Sequence, residues 1–517
     1  MSRGRICVVG GGLAGMAAAL AAADAGARVT LVERRRRLGG ATWSFRHNGL
    51  WFDNGQHVFL RCCTAYTAFL ERLGVAGQVD LQPRLDVPVL GPDGRVARLR
   101  RSGLPAPAHL GRSLLAYRHL RLRDRLRLLP AALALRGVDP DAEASDQQTF
   151  GEWLARRGQS PEAQRALWDL ICRPTVNLPA REASLALAAM VFRTGLLTDA
   201  AAADIGWSRV PLGQLHGEAG RRALEAAGVE VVTGAPVGAI RYADPSIGSA
   251  GPSTGLPADS ADPAGARFTV AAGGTEHPAD AVIVAVPHSA LADVAGLPVP
   301  ADAGTRLGVS PIVNVHVIYD RPVTDLPMAA SIDPDVQFVF DRTAGAGLDP
   351  CDGQYLAVSL SAADAEMGLA GDALKARTLA ALARVFPRAR EARVVDCLVS
   401  REPAATFRGG PGCRSARLPC LTAVPGLVLA GAWTDTGWPA TMEGAVRSGR
   451  TAAHHALVAA GHTRNLPEPF GPPAPATPVA PSPQPPASAA PGAPAARRPS
   501  RPPIPPDGPD EPEEVAL

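Results

Sequence analysis

Lysine is almost missing from this 517-residue chain: Lys375 stands alone beside 51 arginines. The formal net charge is only +3, so composition offers no electrostatic footprint for nucleic acid. Cysteine is sparse and scattered, eight residues from Cys7 to Cys420, with Cys62 and Cys63 adjacent and no C-x-x-C pair. That excludes a disulfide framework and fits a reducing cytoplasm. No His/Cys cluster has ligand spacing, so no metal site is expected. No uninterrupted apolar run reaches the roughly 18 residues that a membrane-spanning helix needs. The first 25 residues imitate a secretory signal, with Arg3 and Arg5 ahead of small apolar residues. The triplet Gly10-Gly11-Gly12 breaks the apolar helix such a signal requires, and a signal is not expected.

What is abundant is Ala, Arg, Gly (53) and Pro (50), a bias of G·C-rich coding that carries no functional weight. Nineteen prolines fall in the 52 residues from Leu466 to Leu517, which read as a disordered tail unable to bury enough apolar surface to offset ordering entropy. Residues 244–266 separate the strand-like runs GVEVVTGAPVGAIRY and ARFTVAA and read as the loop of an elongated hairpin. Elsewhere, short Val/Ile runs (ICVVG, RVTLVE, EVVT, DAVIVAVP, LVLAG) alternate with Ala/Leu helices. This predicts an α/β fold, a parallel sheet covered by helices. Residues 104–200 contain no convincing strand and read as mostly helical.

One segment carries explicit chemistry. In RICVVGGGLAGMAAALAAADAGARVTLVE a strand runs into Gly10-x-Gly12-x-x-Gly15, a helix follows, and a second strand ends in Glu33. Gly10 permits the tight turn, Gly12 lets a pyrophosphate approach the backbone, and Gly15 allows close helix–strand packing. The helix N-terminus, with Gly11, Leu13 and Ala14 around it, holds the phosphate charge. Glu33, 18 residues past Gly15, accepts hydrogen bonds from a ribose hydroxyl. This pattern alone leaves FAD and NAD both open.

Glu33 leads into RRRRLGG, and Gly39-Gly40 after the basic run resembles the extended motif of FAD-dependent amine oxidases and carotenoid-type desaturases. The resemblance implies that Arg35 helps neutralise the cofactor; Ala41 stands where relatives often carry Arg. LVLAGAWTDTGWPATMEGAVRSGRTAA resembles the closing flavin motif of the same superfamily. It implies a strand ending in Gly431 and a helix beginning at Thr441-Met442, aimed at the flavin C2 carbonyl where charge gathers on reduction. Ala432 replaces an Asp that many relatives have. GVEVVTGAPVGAI resembles the middle segment, with Val237 meeting the adenine through its backbone. Together these imply a flavoprotein with a Rossmann-like FAD-binding domain of the amine-oxidase type, built from residues 1–95, 206–295 and 419–465. A helical substrate- or membrane-facing region (96–205) and an α+β substrate-domain sheet (296–418) are inserted, and the tail 466–517 follows.

Amine oxidases usually carry a Lys facing the flavin N5 and an aromatic before the closing Met; here Asn314 and Thr441 occupy those positions. GLWFDNGQHVFLRCCTAYTAFLERLGV and LWDLICRPTVNLPAREASLALAAMVF, with the closing motif, are instead similar to the squalene-associated flavoproteins of bacterial hopanoid pathways, the hydroxysqualene dehydroxylase family. This resemblance, over about residues 5–460, implies reduction of an allylic alcohol on a C30 isoprenoid, giving squalene in squalene/hopanoid biosynthesis. Hydroxide leaves poorly, so an acid should protonate it. His57 and Asp53, in the segment expected beside the isoalloxazine, are the catalytic candidates, with Asp435 a third acid; Gly55 and Gln56 are expected flavin contacts. His57 can equally be structural, Asp53 can equally cap the Asn54-Gly55 turn, and Trp433 and Trp438 line a pocket or fill core. No second Gly-rich loop follows a strand, so no NAD(P)H site is expected and the reductant is not legible.

A lipid substrate has to be reached. Between Arg98 and Arg136 there are ten arginines against one acid, Asp124. Leu115, Leu122, Leu126 and Leu129 share a helical face flanked by Arg118, Arg121 and Arg125 on one side and Arg123 and Arg127 on the other. This predicts an interfacial helix on an anionic membrane surface, placing the chain peripherally on the inner face of the plasma membrane, near upstream squalene-pathway enzymes. The alternative is a helix packed on the protein with a solvated basic rim. Two other functions are compatible: an FAD-dependent squalene or carotenoid desaturase, and a prenyl-binding escort protein without redox chemistry, whose flavin site would be degraded.

Overall fold

In the computed structural model, which describes residues 4–242 and 266–470, the Val/Ile runs assemble into one parallel sheet. Its strand order is Glu230–Thr233, Arg28–Glu33, Arg5–Val9, Ala281–Val284, Leu427–Leu429. Ile6, Cys7, Val8 and Val9 on the middle strand are fully buried, as expected for a strand covered on both faces. The helix Leu13–Asp24 packs against the closing helix Met442–Ala459. A Cβ on Gly449 would lie 2.1 Å from Ala14 O, so the two helices meet backbone to backbone. An antiparallel sheet of Val237–Tyr242, Phe268–Ala272 and Thr275–Ala279 packs on the middle strand.

A seven-stranded mixed sheet forms the second layer, in the order Val394–Phe407, Val309–Tyr319, Gln354–Ser361, Phe338–Asp341, Met328–Ser331, Asp86–Leu90, Val96–Arg100. The boundary expected at 95/96 therefore cuts a hairpin. Asp86–Leu90 and Val96–Arg100 pair with each other and join the substrate-side sheet through Met328–Ser331. Alternation explains it: Ala97 and Leu99 point into the core while their neighbours face water.

From Ala108 to Leu197 the chain is helical, without a strand. The single helix expected to carry Leu115, Leu122, Leu126 and Leu129 is two, Gly111–Leu115 and Leu122–Arg136. Tyr117 and Leu120 turn inward between them, and the Tyr117 hydroxyl donates to Ala166 O at 2.6 Å. Leu115 thus stands on a different helix from the other three. The strands flanking the loop expected at 244–266 pair as a hairpin, while residues 243–265 lie outside the described residues. Of the tail expected from 466, only 466–470 is described; Leu466 and Phe470 pack on the main core, and Phe470 receives the Arg447 guanidinium 4.5 Å from its ring centroid.

Candidate active site

The first element of the site is a cradle of backbone. The strand Arg5–Val9 ends at Gly10 (φ 107°), and the helix after it starts at Gly12 with no side-chain cap and no acid in its first turn. Its first amides are left for an anionic group. Gly39 N donates to Gly11 O at 2.9 Å, and a Cβ on Gly40 would meet Gly12 Cα at 2.8 Å, so the two glycine segments touch. A Cβ at Gly15 would fall 1.9 Å from Gly10 O. Leu13 and Ala14 are buried in the same turn. The Glu33 carboxylate accepts from Gly11 N at 2.6 Å and from Arg35 N at 2.8 Å, while the Arg35 side chain is exposed. Gly234 N donates to Arg35 O and Ala235 N to Glu33 O, each at 3.0 Å, which carries the chain into Val237 beside Glu33. These residues meet at the carboxyl end of the parallel strands, where such sheets bind dinucleotides.

The second element is the turn from Asp53 to His57. Asp53 is spent: its carboxylate accepts from half-buried Ser44 Oγ at 2.6 Å, and from buried Leu212 N at 2.9 Å and Arg342 Nη2 at 3.1 Å. An acid role expected for Asp53 is not what this geometry offers; the residue anchors the hairpin Ser44–His47/Leu50–Asp53. Asn54 ties the turn down. Its Nδ2 donates to Glu402 Oε1 at 2.7 Å, and its carbonyl accepts from Asn314 Nδ2 at 2.9 Å and Ser400 Oγ at 3.1 Å. Asn314 also backs Gly55, whose Cβ would approach Asn314 Nδ2 to 3.2 Å.

Buried Gln56 Nε2, Asn314 Oδ1 and His216 Nδ1 have no partner among the described residues. Orphaned polar atoms are costly; Gln56 follows Gly55, which Asn314 backs, and His216 lies near His57, so these three fit a bound group with hydrogen-bonding edges at this turn. Among the described residues the His57 ring has no hydrogen-bond partner. Burial lowers its pKa, against the opposing pull of Asp53. Burial, then the neighbouring His57, pushes His216 down to about 3. His216 Nε2 pairs with the Tyr66 hydroxyl at 2.8 Å.

The third element is the closing segment. Gly431 (φ 139°) donates its N–H to Ser448 Oγ at 2.8 Å, and Thr441 Oγ1 accepts from Gly444 N at 3.1 Å, capping the helix that Met442 begins. Glu443 accepts from Tyr66 N at 2.7 Å, Ala65 N at 3.2 Å and Arg447 Nε at 2.6 Å, binding this helix to the start of Thr64–Arg72. Arg417 clips the loop ahead of it, donating to Trp438 O at 2.7 Å, Ala432 O and Thr436 Oγ1 at 3.0 Å, and the carbonyls of Trp433 and Thr434. Burial pushes its pKa down to about 10. Trp433 and Trp438 are buried here, the first donating to Val286 O at 2.9 Å, the second under Arg447; Asp435 is exposed.

Sequence reasoning missed Arg342, Glu402, Arg417 and His216, none of which leaves a local sign. Glu443 stands in the closing motif, and its spacing of four from Arg447 on one helix marks their pairing.

The sequence model of the family described as flavin containing amine oxidoreductase matches residues 13–457. Hydroxysqualene dehydroxylase of Zymomonas mobilis subsp. mobilis is 27% identical over 460 residues, spanning 87% of this chain and 98% of its own. Zeta-carotene desaturase of Solanum lycopersicum is 25% identical over 499 residues, covering 87% of this chain and 80% of that one. Among solved structures, a redesigned putrescine oxidase superposes with a TM-score of 0.63 at 21% identity, covering 88% of this chain and 99% of that one.

Proposed function

The chain belongs to the flavin-containing amine oxidoreductase family and is an FAD-dependent oxidoreductase, and we propose that it reduces hydroxysqualene to squalene with loss of water. The observation that carries this reading is the uncommitted imidazole of His57, beside the unsatisfied Gln56 Nε2 and Asn314 Oδ1. The amine-type Lys and aromatic are replaced by Asn314 and Thr441. The similarity to hydroxysqualene dehydroxylase along nearly its full length supports the same substrate class.

In this reading the amides of Gly12 to Gly15 hold the pyrophosphate, with Gly10, Gly11, Gly39 and Gly40 leaving room for it. Glu33 takes the ribose, Arg35 lends positive charge and Val237 meets the adenine. Gly55, Gln56, Gly431, Thr441 and Met442 would hold the flavin ring. Reduced FAD held there would supply the hydride that the allylic carbon needs. As that C–H bond forms the C–O bond breaks, and the departing oxygen takes one proton to leave as water. His57 gives that proton. All eight cysteines are unpaired, which supports a reducing, cytoplasmic setting.

The similarity to zeta-carotene desaturase supports a second reading, a desaturase that moves electrons the other way. One anaerobic experiment separates the two. Holoenzyme reduced with dithionite is mixed with hydroxysqualene in detergent and extracted for mass spectrometry. Squalene forming as the flavin reoxidises is the expected result. No squalene, but bleaching of oxidised flavin by squalene or a carotene precursor, would replace dehydroxylation with desaturation.

A further inference from the structure

The helix Leu122–Arg136 is apolar on two opposite sides. Leu128, Ala131 and Leu135 face the core, and Asp124, the sole acid between residues 98 and 136, turns inward with them. Leu122, Leu126, Leu129 and Leu133 recur every three to four positions, so at about 100° per residue they form one stripe on the far side. Among the described residues nothing covers it: these four, with Leu104 and Leu115, are each 46 to 60% exposed. Among the described residues eleven large apolar side chains are exposed, and six of them fall between Leu104 and Leu133, a patch rather than scatter.

The patch is bordered by charge of one sign. Arg118, Arg121, Arg123, Arg127 and Arg136 are exposed around it. Arg125 is half-buried and donates to Leu115 O at 2.5 Å, bridging the two helices into one plate. A second copy of this chain would bring an identical arginine border against the first, so a two-fold dimer through this face sets like charges together. A surface of negative charge over hydrocarbon complements both features at once.

We propose that the plate formed by Gly111–Leu115 and Leu122–Arg136 docks on an anionic lipid bilayer, with Leu122, Leu126, Leu129 and Leu133 entering the acyl boundary and the arginines lying among the headgroups. The inference rests on exposure and charge and holds whichever reaction the chain catalyses. It corrects the single-helix expectation while keeping the surface that expectation named.

The test is vesicle flotation of the full-length holoenzyme. With vesicles containing phosphatidylglycerol the protein co-floats at low salt and is released by high salt; with phosphatidylcholine alone it floats far less. A variant with Leu122→Gln, Leu126→Gln, Leu129→Gln and Leu133→Gln loses ~10-fold or more in partitioning. It should retain its flavin absorbance and melting temperature, since these side chains touch solvent. A second variant, with Arg118, Arg121, Arg123 and Arg127 each changed to Gln, loses the preference for phosphatidylglycerol. Failure of the wild type to float, or flotation of both variants equal to that of the wild type, overturns the proposal. A change in sedimentation of the leucine variant with no change in flotation also overturns it, and makes the face an interface between copies.

Discussion

Arg342 and Asp53, 289 positions apart, meet at 3.1 Å with both side chains buried, and together they fix the hairpin that leads into the candidate active site. Removing one partner of such a pair strands the other in a low-dielectric interior. Arg342→Met is expected to lower unfolding stability by about 3–5 kcal/mol, with Asp53→Asn losing less because the amide still bonds Ser44 and Leu212 N. Urea unfolding followed by fluorescence measures both. Wild-type midpoints would mean that the pair does not hold the turn.

The contact between Gly449 and Ala14 makes a sharper steric prediction. A methyl at Gly449 has backbone on the other side at 2.1 Å, so the helices must part. Gly449→Ala should cost about 1–3 kcal/mol in stability and weaken FAD binding, both helices opening beside the cradle. Gly77→Ala, where a Cβ meets nothing within 4 Å, is the control. FAD titration and thermal melting of the two variants decide the matter; matching values would refute helix contact as a constraint on the cofactor.

A pH profile tests His57. Its pKa is held below the ordinary 6.5 by burial. If His57 gives the proton, turnover is full on the acid side of that lowered pKa and falls as pH rises through it. His57→Gln should reduce turnover on the order of 10²–10⁴-fold and erase this limb while leaving FAD content unchanged. A variant with the same limb would send the proton to another group.

Two buried imidazoles make stability itself pH-dependent. Burial pushes His216 down to about 3 and His316 to about 4, while the unfolded chain titrates near 6.5. Stability is therefore full above pH 6.5 and drains as pH falls toward those values, at roughly 1.4 kcal/mol per pH unit for each histidine. His216→Asn should shallow the decline of melting temperature with acidification. A slope identical to the wild type would show that His216 does not stay neutral in the fold.

Local and long-range information separate cleanly in this chain. The cradle was legible because Gly10 to Glu33 is one continuous strand–helix–strand, in which spacing alone fixes what meets what. The closing helix was legible for the same reason. Asn314 on Gly55, Arg342 on Asp53 and Glu402 on Asn54 were not, because each joins elements hundreds of residues apart through the register of the second sheet. The helix break after Leu115 escaped because the leucine period runs on across it with no Gly or Pro to mark the stop. Tyr117 and Leu120 bend the chain there by packing inward, a tertiary effect.

The all-arginine border of the plate also has a practical side. Guanidinium groups keep their charge throughout the accessible pH range and offer no primary amine, so neither acetylation nor amine-reactive chemistry can alter that surface. Lys375, on the helix Gly371–Val385, carries the chain's one side-chain amine. Coupling through it would tether the enzyme at one defined side chain, with every arginine around Leu122 to Leu133 left chemically intact.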